Sequence, residues 1–294
     1  MNQQTQINTI KAIKNFTIKH KAITIATLEG SRVNPKAKKD KYQDYDISFF
    51  VPLDSMHEFL EISSQSDIKS AKIPSKILVF TSKHFGRLIF SQLPESMEFY
   101  KPDLPPNWVS FLMLFANGVR LDLKIIPLQD LNAYYELEPL SKVLVDKDNL
   151  FTHTIPQTPF SITHLSQKCF DDVCNEFYFT LSNVQKALLR EQFILANHLL
   201  DSMRKALFVM LSFKMGLKQG FNLWLGKENA YILHYLSKKE VKIIRGSYHT
   251  HSLKHIAKSL EILEELFSKS VKHICKKSDY KNPYKNLYKY RFYK

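Results

Sequence analysis

The sequence predicts an α+β chain, with a mixed sheet and its helices in residues 1–155 and an α-helical bundle in residues 156–294. Three observations carry this. The first half holds strand-like runs with period-two alternation and turn-forming Gly-Ser and Asn-Gly pairs. The stretch from Thr152 to Thr163 is loop-like and contains Pro156 and Pro159, so the junction is placed there. Beyond it, apolar residues recur at three- and four-residue spacing.

The first predicted strand runs from Ala22 to Leu28 and ends at Gly30-Ser31-Arg32. Gly30 lets backbone approach a phosphate closely. Exposed N–H groups and the Ser31 hydroxyl can cradle phosphate oxygens, and Arg32 can add charge-assisted bonds. Twelve residues separate Ser31 from Asp44. Asp44 and Asp46 then head a second run, Ile47 to Val51. Side chains two apart on a strand share a face, so the two carboxylates project together and Tyr45, Ile47 and Phe49 project oppositely. Adjacent carboxylates repel. One or two magnesium ions would relieve that, since hard cations take oxygen ligands. The arrangement suits nucleotidyl transfer. A Gly-Ser pair alone is a turn and an Asp-x-Asp alone is a solvated strand end; the order and the flanking strands make the functional reading the better one.

Val109 to Phe115 is an almost unbroken apolar run, followed by Asn117-Gly118, a pair suited to tight hairpins. On the return, Val119, Leu121, Leu123 and Ile125 occupy one face, and Arg120, Asp122 and Lys124 the other. Asp122 is therefore a third acid on a polar strand face. Two roles are open for it, completing a metal site or accepting the proton of an attacking hydroxyl. A surface pair with Arg120 or Lys124 is the plain alternative.

In the second half, Phe170, Val173, Phe177, Leu181, Val184 and Leu188 form one helical stripe. A second helix is predicted from Leu195 to Met215, and Leu253, Ile256, Leu260, Leu263, Phe267, Val271 and Ile274 mark a long third. A bundle buries such stripes. Asp172 and Glu176, four apart, are neighbours beside the first stripe, where a polycationic ligand would relieve their repulsion. For Asp171 the helix dipole is as good an account. Lys227, next to Gly226, can reach ATP phosphates or remain a solvated loop lysine. His249, His251 and His255 read as loop and helix-start residues rather than a zinc site.

The chain has 42 Lys and Arg against 28 Asp and Glu, a net charge of +14. The tail from Lys276 interleaves Tyr280, Tyr284, Tyr288, Tyr290 and Tyr293 with Lys281, Lys285, Lys289 and Arg291, which permits stacking on nucleic acid. A surface enriched in Lys through compositional bias explains the charge better, so nucleic acid is not the expected partner. No apolar run reaches the roughly 18 residues of a membrane span, and residues 1–14 lack a signal-peptide core. Cys169, Cys174 and Cys275 lack metal-ligand spacing and read as reduced, mostly buried residues of a cytoplasmic protein, monomer or dimer.

The chain resembles the aminoglycoside 6-adenylyltransferases, the streptomycin-modifying branch of the nucleotidyltransferase superfamily. The resemblance runs through Thr27-Leu28-Glu29-Gly30-Ser31-Arg32, Gln43-Asp44-Tyr45-Asp46-Ile47, Pro94-Glu95-Ser96-Met97-Glu98, Leu121-Asp122-Leu123 and Leu144-Val145-Asp146-Lys147-Asp148. Its more specific blocks are Phe170-Asp171-Asp172-Val173-Cys174-Asn175-Glu176-Phe177 and Lys218-Gln219-Gly220-Phe221, followed by Leu225-Gly226-Lys227. Tyr178 stands where that family usually has Trp, and Asn197 where it usually has Asp. The resemblance implies a polymerase-beta-like nucleotidyltransferase domain followed by a helical substrate-binding domain. It implies adenylyl transfer from ATP to a hydroxyl of streptomycin, with release of pyrophosphate and resistance to the drug. By it, Asp44 and Asp46 hold magnesium, with Asp122 as third acid and general base. Gly30, Ser31, Arg32 and Lys227 bind ATP, while Asp172, Glu176 and Tyr178 face the aminoglycoside. The alternatives are transfer to a nucleic acid or protein, or a non-catalytic binding protein on the same fold.

Overall fold

The computed structural model describes residues 3–63, 71–99, 104–155 and 165–284. The middle of the expected junction, with Pro156 and Pro159, and the tail beyond Tyr284 lie outside the described residues. The chain divides into two compact units, Met1–Pro159 and Phe160–Lys294. The architecture is α+β, as expected: a mixed sheet in the first unit and helices in the second.

In the first unit, β1 (Ile25–Glu29), β2 (Tyr45–Val51), β3 (Leu88–Gln92), β4 (Val109–Phe115), β5 (Arg120–Pro127) and β6 (Ser141–Asp146) form one sheet in the order β3-β4-β5-β2-β1-β6. Only the β2–β5 pair is parallel, and the other four pairs are antiparallel. Helices α1 (Gln3–Lys19), α2 (Met56–Phe59), α3 (Ser75–Phe85) and α4 (Leu131–Leu137) accompany it.

Strand parity decides what each face buries. Tyr45, Ile47 and Phe49 share a face with Leu121, Leu123, Ile125, Phe111 and Met113, and pack with Ile13 of α1 and Phe85 of α3. Burying each such side chain contributes roughly 1.5–3 kcal/mol before chain entropy is counted. The opposite face is split. Ile25, Phe50 and Ile126 pack with Trp108 and with Tyr134 of α4, and the Trp108 indole N–H donates to Asp130 at 2.8 Å. The remainder of that face carries the polar side chains of β1, β2 and β5.

The Asn117-Gly118 hairpin forms as expected. Gly118 has φ +77°, and the Asn117 side chain accepts the Val119 N–H at 3.0 Å and donates to the Phe85 carbonyl at 2.9 Å. The first strand begins at Ile25 rather than Ala22 and extends through Glu29. That shift brings a carboxylate into the sheet. β2 begins at Tyr45, so Asp46 lies within the strand while Asp44 stands just before it.

The second unit contains α5 (Gln167–Leu189), α6 (Phe193–Gln219), α7 (Lys238–Gly246) and α8 (Leu253–Lys277). Side-chain caps start three of them. Ser166 accepts the Cys169 N–H, Ser252 accepts the His255 N–H, and Ser237 and Glu240 form a reciprocal capping box. The stripes expected for α5 and α8 meet in one core, where the Phe177 and Phe267 rings stack at 3.7 Å. Gly216 of α6 sits under Phe221, whose ring would lie 2.4 Å from a Cβ at that position. Cys174 is buried, and burial pushes its thiol up to about 12. Among the described residues no helix is long and apolar enough to cross a membrane.

Candidate active site

The site grows from the turn after β1. Gly30 has φ +66°, and a Cβ there would lie 2.6 Å from Asp46 Oδ2. Glycine is thus required twice, for the left-handed backbone and for the close approach of the turn to Asp46. The turn continues as one short helical turn, Gly30–Arg32. It is fastened from outside: Lys39 donates to the carbonyls of Ser31, Arg32 and Asn34 at 2.9–3.0 Å, and the Gln43 amide donates to Ser31 O at 2.9 Å.

Arg32 also fastens the start of β2. Its Nε donates to the Asp44 carbonyl and a terminal nitrogen to the Gln43 carbonyl, both at 2.6 Å. Its guanidinium lies 3.7 Å from the centre of the Tyr45 ring. Two donors and one face are therefore committed to pinning the start of β2 against the turn.

The parallel pairing of β2 with β5 places Asp46 directly opposite Asp122, and Ser48 opposite Lys124. Asp122, 76 residues beyond Asp46, is thereby brought beside Asp44 and Asp46 at one end of the polar face. Burial first, then the charges of Glu29, Asp122 and Asp44, push the Asp46 carboxyl up to about 7, against the lowering pull of Lys124. Burial also raises Asp44, with Asp122 adding to it and Arg120 and Arg32 opposing. Asp122 accepts two hydrogen bonds from Arg120, each 2.7 Å, in a forked pair. The surface-pair alternative for Asp122 is therefore present in the structure.

The donor set fits a hard dication: oxygen-only, acidic, and short of countercharge at Asp46. As the side chains stand, no three His, Cys, Asp or Glu among the described residues form a group that could hold a metal ion, and Asp122 is paired with Arg120.

Sequence reasoning missed Glu29. It is buried, its Oε1 accepts from Ser48, from the Tyr134 hydroxyl at 2.8 Å and from Thr27 at 3.3 Å, and its Oε2 accepts from Lys124 at 2.8 Å. Lys124 also donates to Glu138, just past α4. Burial alone would lower the Lys124 ammonium, but the two carboxylates outweigh it and hold its pKa above the ordinary lysine range. The one signal available was that Glu29 shares strand parity with Thr27.

The remaining candidates lie in the second unit. Asp172 and Glu176 share an exposed face of α5. Asp172 is paired with Lys168, and Glu176 accepts from Thr180 at 3.1 Å. Tyr178 does not join them: its hydroxyl meets Ser268 at 3.2 Å, and its ring packs edge-on to Phe267 at 5.8 Å. Lys227 is exposed in the short helical turn Lys227–Asn229. The His251 and His255 rings lie 3.8 Å apart, tilted by 37°, around the start of α8, where His255 Nδ1 meets the capping Ser252 hydroxyl.

Comparison with known proteins identifies the family. The family model described as streptomycin adenylyltransferase matches residues 3–68 and 79–293. An aminoglycoside 6-adenylyltransferase of Staphylococcus aureus is 33% identical over 268 residues, 90% of this chain and 88% of that protein. One of Campylobacter jejuni is 34% identical over 276 residues, covering 92% and 88%. One of Bacillus subtilis is 32% identical over 273 residues, covering 92% and 89%. Matched over most of its length by the family model and by these relatives, the chain belongs to the streptomycin adenylyltransferase family, a family of adenylyl-transferring enzymes.

Proposed function

We propose that this chain transfers an adenylyl group from ATP to a hydroxyl of streptomycin, releasing pyrophosphate and so inactivating the drug in the cytoplasm. The observation that carries the reading is the β2–β5 register, which sets Asp46 beside Asp122 while the Gly30 turn presses against Asp46. The relatives named as aminoglycoside 6-adenylyltransferases support the acceptor class.

Asp44 and Asp46 are the residues that would hold magnesium, with Asp122 as third acid. The ion would supply charge neutralisation of the triphosphate and polarisation of the reacting phosphate. The chain's own groups do the rest. The Gly30-Ser31 backbone and the Ser31 hydroxyl orient phosphate oxygens. Lys227 is assigned to the phosphates as well, on the family pattern. Arg32 is assigned to the phosphates as well, since only two of its five N–H donors are used at the β2 entrance. Asp122, oriented by Arg120, accepts the proton as the drug hydroxyl attacks the α-phosphorus. The bond from that phosphorus to the bridging oxygen breaks, and pyrophosphate leaves with the electron pair. Asp172 and Glu176 offer anionic partners to the cationic drug. Tyr178 is assigned to the drug as well, on the family pattern, with its hydroxyl meeting Ser268 and its ring edge-on to Phe267.

The test is direct. The protein is incubated with ATP, magnesium and, separately, streptomycin, kanamycin and gentamicin, and each drug is weighed by mass spectrometry. Streptomycin should gain one adenylyl group while the other two stay unchanged. Modification of kanamycin with none of streptomycin would overturn the proposed acceptor.

A further inference from the structure

Glu29 is buried to within 1% of full exclusion from solvent, yet it has no part in the chemistry proposed above. Its donors come from four elements: Thr27 on β1, Ser48 on β2, Lys124 on β5 and Tyr134 on α4. Both carboxylate oxygens are committed to them. With three donors on Oε1 and Lys124 on Oε2, the carboxylate is held in place. Nor is stability a sufficient reason for it. A buried ion pair contributes little net stability beside apolar residues of similar volume, because both charges must be desolvated, and the apolar cluster of Ile25, Phe50 and Ile126 lies on the same face. What the network supplies is fixed geometry.

The geometry in question is that of the proposed metal site. Glu29 is bonded to Gly30, whose Cα has Asp46 Oδ2 against it. Its partner Ser48 lies two residues from Asp46 on the same strand face, and its partner Lys124 lies two from Asp122. One carboxylate therefore ties the phosphate-facing turn to both acid-bearing strands. We infer that Glu29 is a positioning residue, clamped by Ser48, Tyr134 and Lys124, which holds the Gly30 turn and Asp46 in register for a divalent cation and its nucleotide. The inference rests on the adenylyl-transfer reading of the site.

The experiment measures Mn²⁺ affinity in the presence of a non-hydrolysable ATP analogue, by calorimetry, on the full chain and on Glu29→Gln. Circular dichroism and a melting curve establish that each protein is folded at the working temperature. Glu29→Gln should weaken Mn²⁺ binding about tenfold and lower kcat for streptomycin more than it raises the KM for ATP. A residue serving stability alone would lower the melting temperature and leave Mn²⁺ affinity unchanged in the folded protein. Gly216→Ala, a destabilising change within α6, is the control that should behave that way. Should Glu29→Gln fail to fold, Tyr134→Phe removes one donor to the same carboxylate and should weaken Mn²⁺ about threefold. Unchanged Mn²⁺ affinity in a folded Glu29→Gln or in Tyr134→Phe overturns the inference. A wild-type chain that binds Mn²⁺ with nucleotide but modifies no streptomycin rejects the proposed acceptor and leaves the Glu29 comparison decisive. A wild-type chain that binds no Mn²⁺ rejects both.

Discussion

Replacing Gly30 by alanine separates the stability of the turn from its chemistry. The residue sits at φ +66°, where a Cβ-bearing residue costs roughly 1–2 kcal/mol. The new methyl would fall 2.6 Å from Asp46 Oδ2 and 3.4 Å from Asp46 Cγ. Either the Asp46 side chain rotates or the turn retreats, by an amount on the order of 1 Å. The stability loss is therefore modest, and at about 2–4 °C per kcal/mol the melting temperature should fall by about 2–8 °C. The activity loss should be far larger, since a displacement of that size at a reacting centre costs about 100-fold. The assay pairs a melting curve with pyrophosphate release at a temperature where the variant is folded. Turnover within threefold of wild type in Gly30→Ala would refute the claim that the turn and Asp46 act as one unit.

Other substitutions probe the remaining parts. Asp44→Asn and Asp46→Asn should each reduce pyrophosphate release to background while leaving the circular dichroism spectrum unchanged, and near-normal turnover in either would remove it from the metal set. Asp122→Asn should slow turnover roughly 100- to 10,000-fold with a much smaller change in nucleotide affinity by calorimetry. Turnover within a few-fold of wild type would remove Asp122 as the base and make Glu176 the better candidate, whereas a parallel collapse of affinity would make Asp122 chiefly a metal ligand, with the proton acceptor to be sought elsewhere. Glu240 tests pH dependence away from the site. Burial raises its carboxyl, but hydrogen bonds from Lys214 and Ser237 outweigh that and hold it at about 2. A depressed carboxyl contributes stability that is fully present above its ordinary pKa of 4.5 and is lost as pH falls from there towards 2. Because the group is partly exposed, Glu240→Gln should cost only about 1 kcal/mol at neutral pH, and its deficit should shrink between pH 4.5 and 2. A deficit constant across that window would contradict the assignment.

What was legible in the sequence was whatever local pattern controls. The Asn117-Gly118 hairpin, the alternation of β5 and the apolar stripes of α5 and α8 were all readable, because period and turn chemistry act over a few residues. The edge strands β3 and β6 were not. At the sheet margins they bury little: Ile89 and Phe90 are exposed, and so is Val143, so neither strand shows a buried alternation. The acids Asp44, Asp46 and Asp122 could be chosen, but not their parallel register, which depends on a crossover between β2 and β5. Glu29 stayed hidden because its meaning lies in Tyr134, 105 residues away, and in Lys124. The contact of Tyr178 with Ser268 was equally out of reach, the two being 90 residues apart. Arg32 was read from its charge alone, and its bonds to the backbone carbonyls of Gln43 and Asp44 depend on how the turn folds against β2.

The central claim is that the acid row beside the Gly30 turn moves an adenylyl group onto streptomycin. It is tested most directly by following pyrophosphate release and the mass of streptomycin together, in one reaction with ATP and magnesium, for wild type and Asp46→Asn. The account predicts one pyrophosphate released per adenylyl group gained by the drug with wild type, and neither product with the folded variant. Equal transfer by Asp46→Asn, or pyrophosphate released by wild type with no gain in drug mass, would contradict it.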